Sequence, residues 1–136
     1  MAETMCVRQI KVVSYNMRGF NQGYTAMGEL INNVNPYVFL CHEHWLTPAN
    51  LHKFEDHFTN YFCFGCSAMI NKIETGPLSG CPYGGVMILV RKNLRSITEN
   101  IYCEERFAII KIADYIFVNV CLPCEGSKDR YLICET

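Results

Sequence analysis

The sequence has 136 residues, enough for one domain with a buried core, and half of these residues are hydrophobic. Only 18% are charged, which is typical of globular proteins and argues against a disordered chain. The net charge of -1 argues against a basic coat for nucleic acid, but it leaves open an enzyme that neutralises phosphate locally. No apolar run approaches the ~18 residues of a membrane span, and residues 1–15 lack the apolar core of a secretory signal. We therefore expect an intracellular protein, in the nucleus or the cytoplasm, with no membrane partner.

The first third of the chain predicts a strand, a helix and a second strand. Residues 10–15 are rich in valine and predict a strand, and residues 25–33 carry apolar side chains at helical spacing. A short apolar run at residues 38–41, just after a proline, predicts a buried strand. These three elements form a βαβ unit, in which the two strands are expected to be parallel.

The remaining elements are predicted to be mainly strands. A short helix is expected over residues 48–58, a strand over 61–67 and a long surface loop, rich in glycine and proline, over 71–85. Strands are expected over 86–90, 107–112 and 115–121, the last two joined as a hairpin, and Ser127 could cap a final helix. A βαβ unit followed by antiparallel strands indicates a layered α/β sandwich in a single domain, residues 1–136.

The nine cysteines leave two interpretations open. The count is odd and the chain carries no secretory signal, so reduced, structural cysteines are favoured over a disulfide framework. Two pairs with CxxC spacing, Cys63 with Cys66 and Cys121 with Cys124, would suit a zinc or redox protein. The interval between the pairs is far longer than the ~15–20 residues of common zinc modules, which makes this the weaker alternative.

Two polar residues follow the two predicted parallel strands. Asn16 comes directly after the first strand, and Glu43 comes just after the second. In a parallel βαβ unit both positions emerge at the carboxyl edge of the sheet, where open α/β folds bind ligands. A carboxylate and a carboxamide there could hold a hard cation such as Mg²⁺ through oxygen. The alternatives to a metal site are that Asn16 only forms a turn and that Glu43 is only a solvated surface residue.

Four segments, in this order, resemble the motifs of the endonuclease/exonuclease/phosphatase family, whose fold is called DNase I-like. They are a strand ending in Asn and Gly (VVSYNMRGF, 12–20), an apolar strand ending in Glu (YVFLCHEHWL, 37–46), a Gly-Gly strand (YGGVMILV, 83–90) and a strand leading into a loop (FVNVCLPC, 117–124). The amino-acid sequence of these segments is most similar to that of the endonuclease domain of animal non-LTR retrotransposons, which nicks target DNA ahead of a reverse transcriptase.

The resemblance implies a fold, a chemistry and two site residues. It implies the N-terminal half of a four-layer α/β/β/α sandwich and a magnesium-dependent hydrolase that acts on DNA. It makes Glu43 the metal ligand and places Asn16 at the phosphate and metal end of the catalytic site. Three basic residues, Lys72, Arg91 and Lys92, could contact DNA phosphates, although a solvated position is an equal alternative for them.

Three departures from the family pattern argue against activity of this chain by itself. Cys121 stands where the family has a tyrosine, and Cys81 stands where related sequences often have a basic residue. The later Asp-x-Asn and Ser-Asp-His motifs are absent, since no aspartate follows Asp129 and no histidine follows His57. Losing an acid or base partner typically costs about 10²–10⁴-fold in rate. We therefore expect a truncated, inactive nuclease domain, and the alternative is a non-catalytic module that binds nucleic acid or protein.

Two further expectations concern the histidines and the sheet edges. His42 and His44 flank Glu43, and a His-x-His pair is a metal signal in some enzymes. Because the resemblance assigns the metal to Glu43, we expect both histidines to pack or to form hydrogen bonds. Half of a sandwich would leave strand edges and apolar faces uncovered, so we also expect the chain to self-associate.

Overall fold

The computed structural model describes residues 9–68 and 84–122, and the predicted 71–85 loop and the Ser127 helix therefore lie largely or wholly outside the described residues. In the described part, seven strands and two α-helices alternate with two 3₁₀ turns, Pro48–Asn50 and Lys92–Ile97. The elements in chain order are β1 (Val12–Asn16), α1 (Phe20–Val34), β2 (Val38–His42), α2 (Lys53–His57), β3 (Tyr61–Cys66), β4 (Val86–Arg91), β5 (Thr98–Glu104), β6 (Phe107–Ile112) and β7 (Tyr115–Val120).

The first sheet contains four strands in the order β1-β2-β4-β3. Strands β1 and β2 are parallel, with Val12 opposite Val38 and Asn16 opposite His42, so the predicted βαβ unit is confirmed. Strand β4 is antiparallel to both β2 and β3. Because β4 lies between two other strands and is covered on both faces, it is the most continuously apolar strand of the chain, as central strands are.

The second sheet contains three antiparallel strands in the order β5-β6-β7. The predicted hairpin of β6 and β7 is confirmed, and its turn places Ala113 at a φ of 52°. Strand β5 was not predicted, because its sequence (TENIYCE) lacks an apolar alternation and most of it is exposed. A register shift between Asn100 and Tyr102 further interrupts its pairing with β6.

Two buried clusters divide the described residues into three layers. Along β4, Met87 and Leu89 face a cluster shared with α1 and α2, whereas Val86, Ile88 and Val90 face a cluster shared with the second sheet. This alternation is the period-2 pattern of a strand, with both faces buried. The layers are therefore helices, first sheet and second sheet, which make up three of the four layers that the resemblance implies.

The outer face of the second sheet carries an exposed apolar row in the described structure. Tyr102, Ile109 and Val118 stand side by side across the three strands. Tyr102 is 54% exposed and Val118 is 49% exposed, and Ile116, on the same face, is 63% exposed. Among the described residues, no helical layer covers this face. No helix in this part of the chain is long and apolar enough to span a membrane.

Asn119 connects the two sheets through the middle of the core. Its side chain on β7 is only 1% exposed, and its Nδ2 donates hydrogen bonds to Cys41 O on β2 (3.0 Å) and Met87 O on β4 (3.1 Å). Its Oδ1 has no hydrogen-bond partner among the described residues. A buried amide with two donor contacts fixes the position of β7 against the first sheet, because misplacing it would leave these groups unpaired.

The helices differ most from the sequence prediction. Helix α1 begins at Phe20, earlier than the predicted residue 25, because the polar stretch Asn21–Gly23 looked like a loop. Phe20 is buried and anchors this first turn, and Gly23 fits closely over the backbone of Met17. The helix predicted over residues 48–58 is instead two short turns, a 3₁₀ turn and α2. Within this range only Phe54 in α2 and Phe58, which follows α2, are buried.

Candidate active site

The structure brings Asn16 and Glu43 together at the carboxyl edge of the parallel strand pair. The amide Nδ2 of Asn16 donates to Oε2 of Glu43 at 3.0 Å, and the amide Oδ1 accepts from the backbone N–H of Arg18 at 3.0 Å. The predicted convergence of these two side chains is therefore observed. Because both ends of the carboxamide are engaged, Asn16 holds Glu43 and the following loop in a fixed relation.

Backbone hydrogen bonds join the loop after β1 to the loop after β2. Met17 N donates to His42 O at 2.9 Å, and Gly19 N donates to Glu43 O at 2.8 Å. Phe20 N then donates to His44 O, also at 2.8 Å. The parallel ladder therefore continues beyond the strands, and it carries Asn16 and Glu43 on paired backbone rather than on free loops.

The surrounding backbone is strained. We define the rim as residues 16–20, 43–46 and 84–85. Glu43 has a φ of 56°, Trp45 has a φ of 59° and Arg18 has a φ of 51°. All three lie in the left-handed region, which residues other than glycine rarely adopt. Such conformations cost on the order of 1–3 kcal/mol each and tend to cluster at functional sites. Three such residues lie in or next to the Asn16–Glu43 pair, which is the distribution typical of a functional site.

Two glycines make the close packing of the rim feasible. Gly85 has a φ of 100°, and a Cβ placed on it would lie 2.3 Å from Cε1 of His44. Gly19 has a φ of 99°, and a Cβ there would lie 2.6 Å from Cε3 of Trp45. The Gly84–Gly85 segment also accepts hydrogen bonds from Glu43 N (2.8 Å) and Trp45 N (2.9 Å). The Gly-Gly motif of the sequence is thus the backbone support for Glu43.

His44 is fully buried behind Glu43 and is satisfied entirely by backbone groups. Its Nδ1 accepts from Leu46 N at 2.9 Å, which leaves Nε2–H to donate to Cys66 O at 3.0 Å. Its ring packs edge-on against Phe54, with centroids 5.4 Å apart. Burial lowers the pKa of His44 to about 4, outweighing the opposing effect of its backbone hydrogen bonds to Cys66 and Val86. His44 is therefore a neutral packing residue, as the sequence analysis favoured, and its neighbour His42 is half-buried on β2.

The side chains at the rim fit a hydrated magnesium ion better than a fully enclosed metal. Glu43 offers one half-buried carboxylate, and within the described residues no three His, Cys, Asp or Glu side chains cluster closely enough to hold a metal. Mg²⁺ usually retains several waters and takes one or two protein carboxylates. One carboxylate at a strand end is therefore compatible with Mg²⁺ and incompatible with a structural zinc site, which needs four ligands.

Two of the three predicted phosphate-contacting residues, Arg91 and Lys92, do not lie at the rim. Arg91 ends β4 beside Tyr61 of β3, at the opposite edge of the sheet, and its guanidinium donates to Pro36 O and Asn35 O. Arg91 and Lys92 line a cavity of about 470 Å³ near the end of α1, with Asn32, Asn35 and Asn60 among its other walls. Lys72 lies outside the described residues.

Arg18 is the basic residue that sequence reasoning missed. It follows Asn16 by two residues, its backbone N–H is held by Asn16 Oδ1, and its side chain is exposed. Within the described residues its guanidinium forms no ion pair or hydrogen bond, and its backbone lies on the same rim as Glu43. The sequence signal was its place in the Asn-x-Arg-Gly segment, which looked like an ordinary loop.

The CxxC spacing of Cys63 and Cys66 does not bring these thiols together. Cys63 packs with the cluster on the helix side of the first sheet. Cys66 lies three positions further along β3, opposite Val86, which faces the second sheet. The two side chains therefore point to opposite faces, and Cys124, of the second CxxC pair, lies outside the described residues.

No protein-family model and no curated protein matches the chain. Several solved structures do match, at low sequence identity. An AP endonuclease from Archaeoglobus fulgidus has 14% identity and a TM-score of 0.66 over 92% of this chain and 46% of its own. The 3′ phosphatase NExo from Neisseria, bound to a product DNA hairpin, has 13% identity and a TM-score of 0.58 over 82% of this chain and 41% of its own.

A third similar structure is D. rerio TDP2 complexed with a single-strand DNA product. It has 15% identity and a TM-score of 0.52 over 93% of this chain and 52% of its own. The chain thus spans about half the length of these structures or less. At such identities the similarity concerns architecture, and the mixed α/β arrangement of two packed sheets is the part they share. This chain therefore has a fold similar to that of DNase I-like nucleases and phosphatases.

Proposed function

We propose that these residues form part of a metal-dependent phosphodiesterase domain that nicks DNA, of the kind found in retrotransposon endonucleases. The observation that carries the proposal is the 3.0 Å contact of Asn16 Nδ2 with Glu43 Oε2 at the carboxyl edge of two parallel strands. The strained backbone around both residues supports it. The similar folds of DNA-bound NExo and TDP2 favour DNA as the substrate class.

Each rim residue has a separate part in this proposal. Glu43 would hold Mg²⁺ through a carboxylate oxygen, and the bound ion would stabilise the negative charge that develops on the phosphate. Asn16 keeps Glu43 in one orientation by donating to Oε2. Arg18 lies on the same loop with an exposed side chain, and its guanidinium would bind a neighbouring phosphate of the DNA.

We expect these 136 residues by themselves to bind metal but to cleave DNA little or not at all. The later family motifs, which would activate the attacking water, do not occur in the sequence. Cys121 replaces the expected tyrosine and is only half-buried, but a thiol does not provide the hydrogen bond of a phenol. Binding without efficient cleavage is therefore the expected behaviour of this chain.

The test separates metal binding from cleavage. Mg²⁺ or Mn²⁺ is titrated into the purified chain by calorimetry, and Glu43→Gln is compared with Glu29→Gln, which changes an exposed glutamate on α1. We expect binding to be lost only in Glu43→Gln. Equal binding by all three proteins would contradict the metal site, and rapid Mg²⁺-dependent nicking of plasmid DNA by the wild type would contradict the expected inactivity.

The exposed guanidinium of Arg18 also supports a second candidate, a non-catalytic module that binds nucleic acid. In that case DNA binding would require Arg18 but neither metal nor Glu43. Fluorescence anisotropy with a short DNA duplex, measured with and without Mg²⁺ for Arg18→Gln and Glu43→Gln, distinguishes the two candidates. Affinity that depends on Arg18 alone favours the binding module, whereas affinity that also depends on Mg²⁺ and Glu43 favours the nuclease.

A further inference from the structure

Cys66 faces the space between the two sheets. It is the last residue of β3 and stands directly opposite Val86 of β4. Val86 is fully buried in the cluster that joins the first sheet to the second. Directly opposed residues of an antiparallel pair point to the same face of a sheet, so the thiol of Cys66 points towards the second sheet.

Cys103 faces the same space from the other side. It lies on β5 directly opposite Ala108 of β6, which is fully buried in the same cluster. Cys103 itself packs against that cluster and is half-buried. The second sheet therefore directs this thiol towards the first sheet, in the region where β3 and β5 meet.

The two sheets approach each other closely at these strands. Cα atoms of β3 and β5 come within 8 Å of one another, whereas stacked sheets are typically about 10 Å apart. The Cys103 side chain is one of the neighbours that raise the pKa of the Cys66 thiol, so the two side chains lie near each other. Two thiols that face the same space from neighbouring strands of two packed sheets are placed to approach the geometry of a disulfide.

We propose that Cys66 and Cys103 form an oxidisable pair, and that a disulfide between them links the two sheets. The oxidant would be a low-molecular-weight disulfide such as oxidised glutathione. One cysteine thiolate attacks a glutathione sulfur, which forms a mixed disulfide and releases one glutathione thiolate. The second cysteine thiolate then displaces the other glutathione. The protein loses two hydrogens as two thiols become one disulfide, and oxidised glutathione becomes two reduced molecules.

The environment of the pair determines which sulfur reacts first. Burial, with smaller contributions from the neighbouring Cys103 thiol and the Glu104 carboxylate, raises the pKa of the Cys66 thiol to about 12. Cys66 therefore stays protonated at neutral pH, and we assign the first attack to Cys103. Since the thiolate is the reactive form, we expect the reaction to be slow at pH 7 and faster at pH 8.5.

The cross-link would stabilise the fold and would lie next to the rim. It joins positions 66 and 103 along the chain, and closing a loop of that length raises an unfolding midpoint by roughly 5–15 °C. The carbonyl of Cys66 accepts the hydrogen bond from His44 Nε2, so the same residue supports the strand end that carries Glu43. The proposal does not depend on the nuclease function.

The experiment is a disulfide map of the wild-type chain. The reduced protein is incubated with oxidised glutathione at pH 8.5, its remaining thiols are alkylated, and it is digested with trypsin and chymotrypsin under non-reducing conditions. Cleavage after Phe64 separates Cys63 from Cys66, and cleavage after Arg95 and Arg106 isolates Cys103. We expect one linked peptide pair containing Cys66 and Cys103, together with a higher unfolding midpoint.

The matched controls are single serine variants. Cys63→Ser changes the thiol on the opposite face of β3, and it is expected to leave the linked pair unchanged. Cys66→Ser and Cys103→Ser are expected to lose both the linked pair and the increase in midpoint. Three results in the wild-type map would overturn the proposal: Cys66 paired with another cysteine, each thiol carrying its own glutathione, or both thiols still free to react with the alkylating agent.

Discussion

The amide of Asn16 and the carboxylate of Glu43 are 27 positions apart in sequence but only 3.0 Å apart in the fold. Their contact depends on the register of β1 with β2, in which Asn16 lies opposite His42, the residue that precedes Glu43. The second hydrogen bond of Asn16, to Arg18 N, holds the carboxamide in place. Glu43 is thus oriented by a side chain whose own two polar atoms are both engaged.

Replacing Asn16 by aspartate tests this relation with almost no change in size. The variant loses the Nδ2 donor and places a second carboxylate beside Glu43, and like charges disfavour a shared site. Because Asn16 is exposed, we expect the free energy of unfolding at pH 7 to fall by only about 1 kcal/mol. Mg²⁺ is expected to restore this loss, since a cation neutralises paired carboxylates. Urea denaturation with and without Mg²⁺ measures both effects.

Ser14→Asp is the control for added charge alone. Ser14 is exposed two residues earlier on β1 and points to the same face as Asn16. It is expected to change stability little and to show no rescue by Mg²⁺. If both aspartate variants respond to Mg²⁺ to the same extent, the pairing of Asn16 with Glu43 has no special role.

The second prediction concerns acid stability and His44. The folded-state pKa of His44 is lowered from 6.5 to about 4, chiefly because the ring is buried. Below about pH 6.5 the unfolded chain takes up a proton at this residue while the folded chain does not. Stability that is present above about pH 6.5 is therefore lost as the pH falls towards 4. A shift of this size corresponds to about 3 kcal/mol.

Chemical denaturation at several pH values between 7 and 4 measures this loss. His44→Gln is expected to be less stable at pH 7 but to show a flatter pH dependence than the wild type. His52→Gln serves as the control, because His52 is exposed and pairs with Asp56 four residues later. An equally steep decline in the wild type and in His44→Gln would show that another group causes the acid sensitivity.

The sequence predicted the parts of the fold that follow from apolar periodicity. Strands β2, β4 and β6 are buried runs with clear limits, and each was located to within about one residue. The pairing of Asn16 with Glu43 was predictable because both follow strands of one βαβ unit. Their local geometry was not, because positive φ values at Glu43 and Trp45 are imposed by hydrogen bonds to Gly84 and Gly85 from a distant part of the chain.

Other features needed tertiary information. Strand β5 is exposed along most of its length, so no alternation revealed it. The CxxC spacing suggested a pair between Cys63 and Cys66, but residues three apart on a strand point to opposite faces. The cysteine that faces Cys66 across the core is Cys103, on the other sheet, and no spacing rule connects these positions. Likewise, no sequence pattern indicated that the Arg91 guanidinium would donate to Pro36 O and Asn35 O after α1.

The third prediction uses the same substitution at two glycines with opposite expected effects. Gly85→Ala places a Cβ 2.3 Å from the His44 ring at a φ of 100°, so strain and overpacking together are expected to cost about 2–4 kcal/mol. Gly28→Ala lies within α1, where the nearest atom, Cε1 of Phe58, would be 4.0 Å away. It is expected to stabilise the chain by about 0.5–1 kcal/mol. Denaturation midpoints of both variants check the two signs.

Equal destabilisation by the two alanine substitutions would mean that the contact between Gly85 and His44 is not tight. A metal titration of Gly85→Ala adds a second measurement. Because Gly85 O accepts from Glu43 N at 2.8 Å, displacing this backbone is expected to weaken Mg²⁺ binding as well as stability. If Gly85→Ala is less stable but binds Mg²⁺ as tightly as the wild type, Gly85 stabilises the fold without positioning Glu43.

The last prediction concerns the exposed outer face of the second sheet. Tyr102, Ile109 and Val118 form an apolar row across this face, and β7 is an edge strand with its outward side chains exposed. Exposed apolar faces and free edges of this kind promote association between chains. We expect the isolated chain to self-associate in a concentration-dependent manner, and Val118→Lys to shift it towards the monomer. A lysine there adds charge to the row without entering the core, because Val118 points away from the first sheet.

Size-exclusion chromatography with light scattering, under reducing conditions and over a range of concentrations, measures the association. Val12→Lys is the matched control, since Val12 is 42% exposed but lies on β1 of the first sheet. It is expected to leave the distribution of species unchanged. If both lysine variants reduce association equally, net charge rather than the outer face controls it. A wild-type monomer at every concentration, with sharp and reversible thermal unfolding, would mean that the apolar row is no association surface and that the chain is stable with this face uncovered by a second copy.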